Sequence, residues 1–209
     1  MEVPPMSRLA TLLLLPLLLV SGAPARAQTT ETAIFAGGCF WCVESDFDRI
    51  PGVLETVSGY TGGSLANPTY EQVSAGGTGH YEAVRIRFDP ARVSYEALLS
   101  AFFRSVDPLD ADGQFCDRGA SYRTAIFVAG PEQKAKADAA KAKAAAVLGS
   151  RLATPILPAA PFYPAEDYHQ NYYDKNPVRY AYYRWSCGRD ARINAVWGKD
   201  AFAGIPGKH

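Results

Sequence analysis

The order of hydrophobic periods constrains this chain more than any single residue does. The short apolar run Ala33–Ala36 breaks at Gly37-Gly38 and gives way to a short helix from Cys39 to about Asp48, stopped before Pro51-Gly52. A second strand covers roughly Val53 to Tyr60. The Gly-rich, Tyr-bearing loop TGGSLANPTYEQVSAGGTGH leads into YEAVRIRF, where Ala83 or Val84, Ile86 and Phe88 alternate as a half-buried strand requires. Asp89-Pro90 closes that strand. Ser94 is suited to cap a helix carrying Leu98, Leu99, Phe102 and Phe103, and RTAIFVA (Arg123 to Ala129) makes a fourth strand. The order βαββαβ is that of the split βαβ, or ferredoxin-like, unit. The expected fold is therefore α+β, a two-layer sandwich.

Pro131 begins an Ala/Lys-rich helix that stops at Gly149, and its lysines read as a solvated face. A last strand is expected in ATPIL (153–157). Beyond it, the Pro and Tyr density of APFYPAEDYHQNYYDKNPVRYAYYRWSCGRD predicts a mostly irregular C-terminal segment, about 160–209, wrapped over the body. No internal repeat and no second domain boundary is apparent.

The N-terminus reads as a secretory leader. Arg8 precedes an apolar run from Leu9 to about Val20, and Ala25-Arg26-Ala27 precedes Gln28. Setting residues 1–27 aside leaves a single domain over 28–209, long enough for a sizeable core. The apolar run is short and interrupted by Pro16, which argues against a membrane span, with a retained anchor as the alternative. A formal net charge of +0 and 20% charged residues give no reason to expect nucleic acid or a stable membrane partner.

All four cysteines, Cys39, Cys42, Cys116 and Cys187, follow the leader, where export lets disulfides persist. They are too few to form a framework for this length, which turns attention to chemistry. Gly37-Gly38-Cys39 sets a thiol at the start of a helix, where unpaired N–H groups and the helix dipole are expected to lower its pKa. Phe40 and Trp41 beside it suit either an apolar pocket or core packing. Cys42 shares a helix face with Cys39. A metal site is disfavoured, because no His lies at ligand spacing from either cysteine. A thioredoxin-like oxidoreductase has too few residues ahead of its C-x-x-C. A sulfoxide- or peroxide-handling thiol enzyme, with one cysteine attacking and another resolving, remains.

GGCFW, NPTYEQVSAGGTGHYEAVRIRFDP, DRGASYRTAIF and YHQNYYDKNP together resemble the A-type peptide methionine sulfoxide reductases, from Thr32 to about Pro177. The resemblance implies reduction of the S-epimer of methionine sulfoxide, free or in proteins. It implies no metal or organic cofactor, only an external dithiol reductant such as thioredoxin. Carried over by motif, Cys39 is the nucleophile and Phe40 and Trp41 form the pocket for the sulfoxide methyl. Glu82 is the acid, Tyr70 and Tyr122 are hydroxyl donors, and Asp117 is a second carboxylate. Singly, each has a plain structural reading, such as an Asp117-Arg118 ion pair or a surface Glu82. The chemistry needs these types: a proton for the departing oxygen from a neutral Glu82, donors to the same oxygen, and a thiol to attack sulfur.

The family usually has glycine where this chain has Cys42. Cys187 is the first expectation for the resolving thiol, Cys42 the second, with Cys116 a relay thiol or a structural partner of Cys42. His80 and His169 read as structural or peripheral. The expected protein is a periplasmic monomer recycled by a thioredoxin-like partner. A general disulfide oxidoreductase and a peptide-binding module using the Tyr-rich tail are the competing classes.

Overall fold

Phe35 is the residue on which the layers converge. In the computed structural model, which describes residues 1–2 and 29–207, it lies in β1 (Glu31–Gly37). Along the chain follow α1 (Phe40–Phe47), β2 (Val53–Thr61), α2 (Tyr70–Ser74), β3 (Tyr81–Phe88) and α3 (Tyr95–Arg104). Next come the small pair β4 (Gly113–Gln114) and β5 (Asp117–Arg118), then β6 (Thr124–Val128), α4 (Pro131–Leu148), β7 (Ile156–Pro158) and β8 (Phe162–Pro164). The chain finishes in α5 (Tyr172–Lys175), α6 (Pro177–Ser186) and α7 (Arg189–Trp197). The leader expected over 1–27 lies, apart from its first two residues, outside the described residues.

Six strands form one sheet in the order β7-β6-β1-β3-β2-β8, antiparallel except for the β6–β7 edge. Phe35 stands opposite Val84 of β3 and Ile126 of β6, and Ala33 opposite Ile86. Strand alternation therefore gathers these side chains on one face. There Phe35 meets Phe47 of α1 at 5.5 Å and Phe102 of α3 at 4.9 Å between ring centroids. Burial of each such side chain contributes about 1.5–3 kcal/mol. The other face holds a smaller cluster of Ala36, Tyr81, Ala83, Ala125 and Phe127.

Local signals are realised where expected. Ser94 Oγ accepts the Ala97 N–H at 3.1 Å and starts α3, whose Leu98, Leu99, Phe102 and Phe103 are buried. Helix α4 has Pro131 in its first turn and ends at a left-handed Gly149. Lys134 pairs with Asp138 and Lys136 with Glu132 and Glu96, whereas Lys141 is half-buried and donates to the Thr154 carbonyl, so the expected solvated face holds only in part.

The C-terminal segment corrects the expectation of irregular chain. Residues 172–197 are largely helical, and only about 165–171 run as an irregular strap. Pro177 occupies the first turn of α6, where proline's missing N–H costs nothing, and Tyr180 and Arg184 share one buried face. Proline and tyrosine density was thus a helix start and an aromatic face. The strap is sewn to the body by side chains. Glu166 accepts from the Tyr60 hydroxyl at 2.9 Å and the Tyr70 N–H at 2.8 Å, and Gln170 bonds both backbone groups of Ser58.

Helix α6 is pinned by Arg184, which donates to Asp46 of α1 at 2.8 Å, both side chains buried. Removing one member of a buried pair leaves its partner's charge uncompensated. Arg184→Met should therefore lower unfolding free energy by about 3–5 kcal/mol in urea titration, against little change for a surface pair such as Lys134–Asp138.

Candidate active site

The turn between β1 and α1 sets the reactive group. Gly38 has φ +81, and a Cβ there would stand 2.6 Å from the Gln114 side chain, so only glycine fits. Cys39 is the N-cap of α1, and its carbonyl accepts from the N–H groups of Cys42 and Val43. The next N–H, that of Phe40, donates to Glu82 Oε2 at 3.0 Å, joining the start of the helix to β3. Glu82 is 2% exposed, and burial pushes its carboxyl up to about 8, the Asp117 and Cys42 charges adding to the effect. Glu82 is a neutral acid at pH 7.

The expectation of a lowered Cys39 pKa is overturned. Burial, the hydrogen bond to Cys42 and the nearby Glu82 and Asp117 carboxyls raise the Cys39 thiol well above its usual range. Cys42 takes the opposite direction, to about 7, because Cys39 donates to its sulfur and the Arg189 and Arg184 guanidinium groups favour its thiolate. Reasoning from the helix start alone omitted the burial and the two carboxyls.

The Tyr70 and Tyr122 hydroxyls lie beside one another, and both titrate above their usual range through burial and the proximity of Glu82. Tyr70 comes from α2, which is fastened by a capping box at Thr69 and Gln72, and Tyr122 from the 3-10 turn before β6. Asp117 accepts from the Tyr183 hydroxyl at 2.5 Å. Its neighbour Arg118 pairs with Asp110 and not with Asp117, so the local ion-pair reading does not hold. Phe40 is buried, and half-buried Trp41 stacks on Tyr172 at 3.8 Å and meets Tyr183 edge-on at 5.6 Å.

The structure therefore gathers Cys39, Cys42, Phe40, Trp41, Tyr70, Glu82, Asp117 and Tyr122 into one cluster. Cys187 is bonded to Cys116, and both sulfurs lie within 4.8 Å of a carboxylate oxygen of Asp117. Cys39 and Cys42 are both free and buried. Cys187, the first expectation for the resolving thiol, is held here in a disulfide, and Cys116 is the partner of Cys187 and not of Cys42.

Three site residues were not read from sequence. His169, taken as peripheral, accepts the Trp41 indole N–H at 2.9 Å and packs on Phe40 and Tyr70. Burial keeps its imidazole neutral, with the proton on Nε2. Tyr183 and Arg189 arrive from the tail. Arg189 is buried, donates to the carbonyls of Gly37 and Ser105, and biases Cys42. The YHQ motif was the signal for His169, but nothing local marks Arg189. His80, by contrast, is the structural residue expected, holding its loop through the Gly63 N–H and the Leu65 carbonyl.

Comparison with known proteins agrees with this geometry. The family profile described as "Peptide methionine sulfoxide reductase" matches residues 31–201. A Rhizobium meliloti protein named peptide methionine sulfoxide reductase MsrA 2 is 57% identical over 182 residues, covering 87% of this chain and 91% of the relative. A Bacillus subtilis protein named peptide methionine sulfoxide reductase MsrA is 50% identical, covering 82% and 98%. Among solved structures, methionine sulfoxide reductase A of Corynebacterium diphtheriae has TM-score 0.65 at 34% identity, covering 77% of this chain and 81% of that one. Mxr1 of Saccharomyces cerevisiae in reduced form has TM-score 0.67 at 29% identity, covering 73% and 88%. With Cys39, a buried Glu82 and the Tyr70–Tyr122 pair clustered together, and a profile match over residues 31–201, this protein belongs to the peptide methionine sulfoxide reductase family.

Proposed function

We propose that this protein reduces the S-epimer of methionine sulfoxide, free or in proteins, with Cys39 as nucleophile and Cys42 as resolving thiol. The observation that carries the reading is Glu82, neutral, buried and hydrogen-bonded to the residue next to Cys39. The order β6-β1-β3-β2 supports reading the core as a ferredoxin-like unit.

The sulfoxide methyl enters against Phe40 and Trp41, and its oxygen is met by Tyr70, Tyr122 and Glu82. Glu82 passes its proton to that oxygen as the Cys39 sulfur attacks the sulfoxide sulfur. The proton Cys39 loses moves to the Cys42 sulfur along their hydrogen bond. Methionine leaves, and Cys39 keeps the oxygen as a sulfenic acid. The Cys42 thiol then condenses with it, releasing water and forming a Cys39–Cys42 disulfide. An external thioredoxin-like dithiol restores both thiols, and no step calls for a metal or an organic cofactor. Mxr1 is described in complex with Trx2, which supports a partner of this kind.

The reading also puts the mature chain, 28–209, in the periplasm as a monomer. Its leader pattern supports export, and the surface Cys116–Cys187 disulfide suits an oxidising compartment. Among the described residues no helix is long and apolar enough to cross a membrane. Mass analysis of protein released from the periplasm should give a chain beginning at Gln28, eluting as a monomer in size-exclusion chromatography. Recovery only with cytoplasm or membranes would count against it.

Single-turnover assays on each epimer of a methionine sulfoxide peptide test the chemistry. Wild-type protein should release methionine from the S-epimer only, and Cys39→Ser none. Glu82→Gln should slow release roughly 10²–10⁴-fold, the usual range for a lost general acid. The wild-type acid function should decline above pH about 8, and the variant should lack that limb. Between the ordinary carboxyl range and about 8 the folded protein holds a proton that the unfolded chain has lost, so stability falls as pH rises across that window. Glu82→Gln should flatten this slope in thermal unfolding followed from pH 5 to 9.

Disulfide mapping after one equivalent of substrate, starting from free Cys39 and Cys42, should find Cys39 joined to Cys42 with Cys116–Cys187 unchanged. Cys42→Ser should accumulate the sulfenic acid. A Cys39–Cys187 bond would reassign the resolving thiol.

A further inference from the structure

Glu44 is a buried carboxyl that the chemistry above does not use. It lies on α1 and is 0% exposed, and its Oε2 accepts the N–H of Asn171, in the strap, at 2.9 Å. Its Oε1 has no hydrogen-bond partner among the described residues. Burial and the neighbouring Asp48 push the carboxyl up to about 7, while the Asn171 N–H, the nearby Ser58 hydroxyl and Lys175 pull it down. A buried carboxyl with one oxygen left without a donor is a poor staple, because desolvating that oxygen costs stability. Its place on the helix points to another use.

Trp41, Glu44 and Asp48 fall at i, i+3 and i+7, so one side of α1 and its C-cap meets the tail as a ladder. On the first rung the Trp41 indole donates to His169 at 2.9 Å and stacks on Tyr172 at 3.8 Å, 7° from parallel. On the last rung Asp48 accepts from the Tyr173 hydroxyl at 2.8 Å. Glu44 takes the middle rung, and its partner Asn171 stands between the two residues that cover Trp41. Asn171 is left-handed, φ +52, a conformation asparagine tolerates better than most residues, and its carbonyl accepts the N–H groups of Asp174 and Lys175 as α5 begins. The turn made there lets His169, before it, and Tyr172, after it, reach the same indole.

Resting on the sulfoxide reading above, we propose that Glu44 is a positioning residue for substrate binding: by gripping the Asn171 N–H it sets His169 and Tyr172 against Trp41, and so fixes the indole on which the sulfoxide methyl rests. Trp41 is half-buried, and a side chain so placed has other rotamers open to it unless its neighbours hold one. Both neighbours come from the strap and the start of α5, and the Glu44–Asn171 bond ties that stretch to the helix that carries Trp41. The grip needs an acceptor at the reach of a glutamate side chain. Glutamine supplies one, leucine does not, and aspartate falls one methylene short. Glu44 acts through Trp41, whereas Cys39, Glu82 and the two tyrosines carry the chemistry. Its loss therefore weakens binding of the sulfoxide and leaves the rate at saturation.

The grip is read first without substrate, by amide hydrogen exchange over 166–172. Exchange there should quicken roughly tenfold or more in Glu44→Leu and stay within about threefold of wild type in Glu44→Gln. Unchanged exchange in Glu44→Leu would overturn the proposal whatever the substrate is. Binding is then read from single-turnover release of methionine over a range of concentrations of an S-epimer sulfoxide peptide, the protein's own thiols supplying the electrons. Wild-type protein that releases no methionine would sink the sulfoxide reading itself and leave the exchange result standing. Given release, Glu44→Leu should raise the half-saturating concentration roughly fivefold or more, with the rate at saturation within about threefold, and Glu44→Gln should return it to within about twofold of wild type. A fall in the saturating rate alone, or equal losses in the two variants, would overturn the assignment. Should Glu44→Leu fail to fold, Glu44→Asp should raise half-saturation roughly threefold or more, and a wild-type value there would overturn it as well. Tyr173→Phe removes only the last rung and should stay within about twofold of wild type. A rise equal to that of Glu44→Leu would show general loosening of the tail and count against Glu44.

Discussion

The hydrogen bond from the Phe40 N–H to Glu82 holds the reactive end of α1 against β3, and much of the site follows from the burial it requires. A helix start offers unpaired donors and a favourable potential to a carboxylate, and one charge-assisted bond is worth about 1.5–3 kcal/mol. Desolvation opposes it and wins, since moving the carboxyl from 4.5 to about 8 corresponds to roughly 5 kcal/mol in favour of the protonated form. Glu82 is thereby kept as a donor of protons at neutral pH. The same dry surroundings raise Tyr70 and Tyr122 and leave the Cys39 proton on the pair it forms with Cys42.

Dryness has to be supplied, and the C-terminal segment supplies it. His169 and Tyr172 back Trp41, while Tyr183 closes the side nearest Asp117. These residues are delivered by a strap and a helix that depend on polar anchors: Glu166 on Tyr60 and Tyr70, Gln170 on Ser58, and Arg184 on Asp46. Each anchor joins an element far away in sequence, so the pocket is assembled only once the tail has seated. Packing around α1 and seating of the tail are coupled through Asp46 and Cys42, which sit on that helix under the tail's two guanidinium groups.

The strands and the first helices were legible because their periods are local: Val84, Ile86 and Phe88 alternate, and Ser94 sits where a cap is needed. The motif residues were legible because chemistry restricts residue type at each position. What escaped reading is non-local. Cys116 and Cys187 are 71 residues apart, and nothing short of the tail's path pairs them. Arg189 became a site residue by threading under β1, and His169 by meeting an indole N–H from another element. The tail misled because proline and tyrosine counts were taken as disorder of form, when Pro177 begins a helix and Tyr180 and Arg184 lie four apart on its buried face.

Burial also divides the enzyme's two needs in space. A site that keeps Glu82 protonated must exclude water. Cys42 lies on the helix that begins at Cys39, and both thiols are free and buried. Asp117, within 4.8 Å of the outer sulfurs and electrostatically linked to Cys39, marks where the wall is thin. The outer disulfide is partly exposed there while Glu82, Cys39 and Cys42 stay buried, so the wet surface and the dry site meet at one carboxylate.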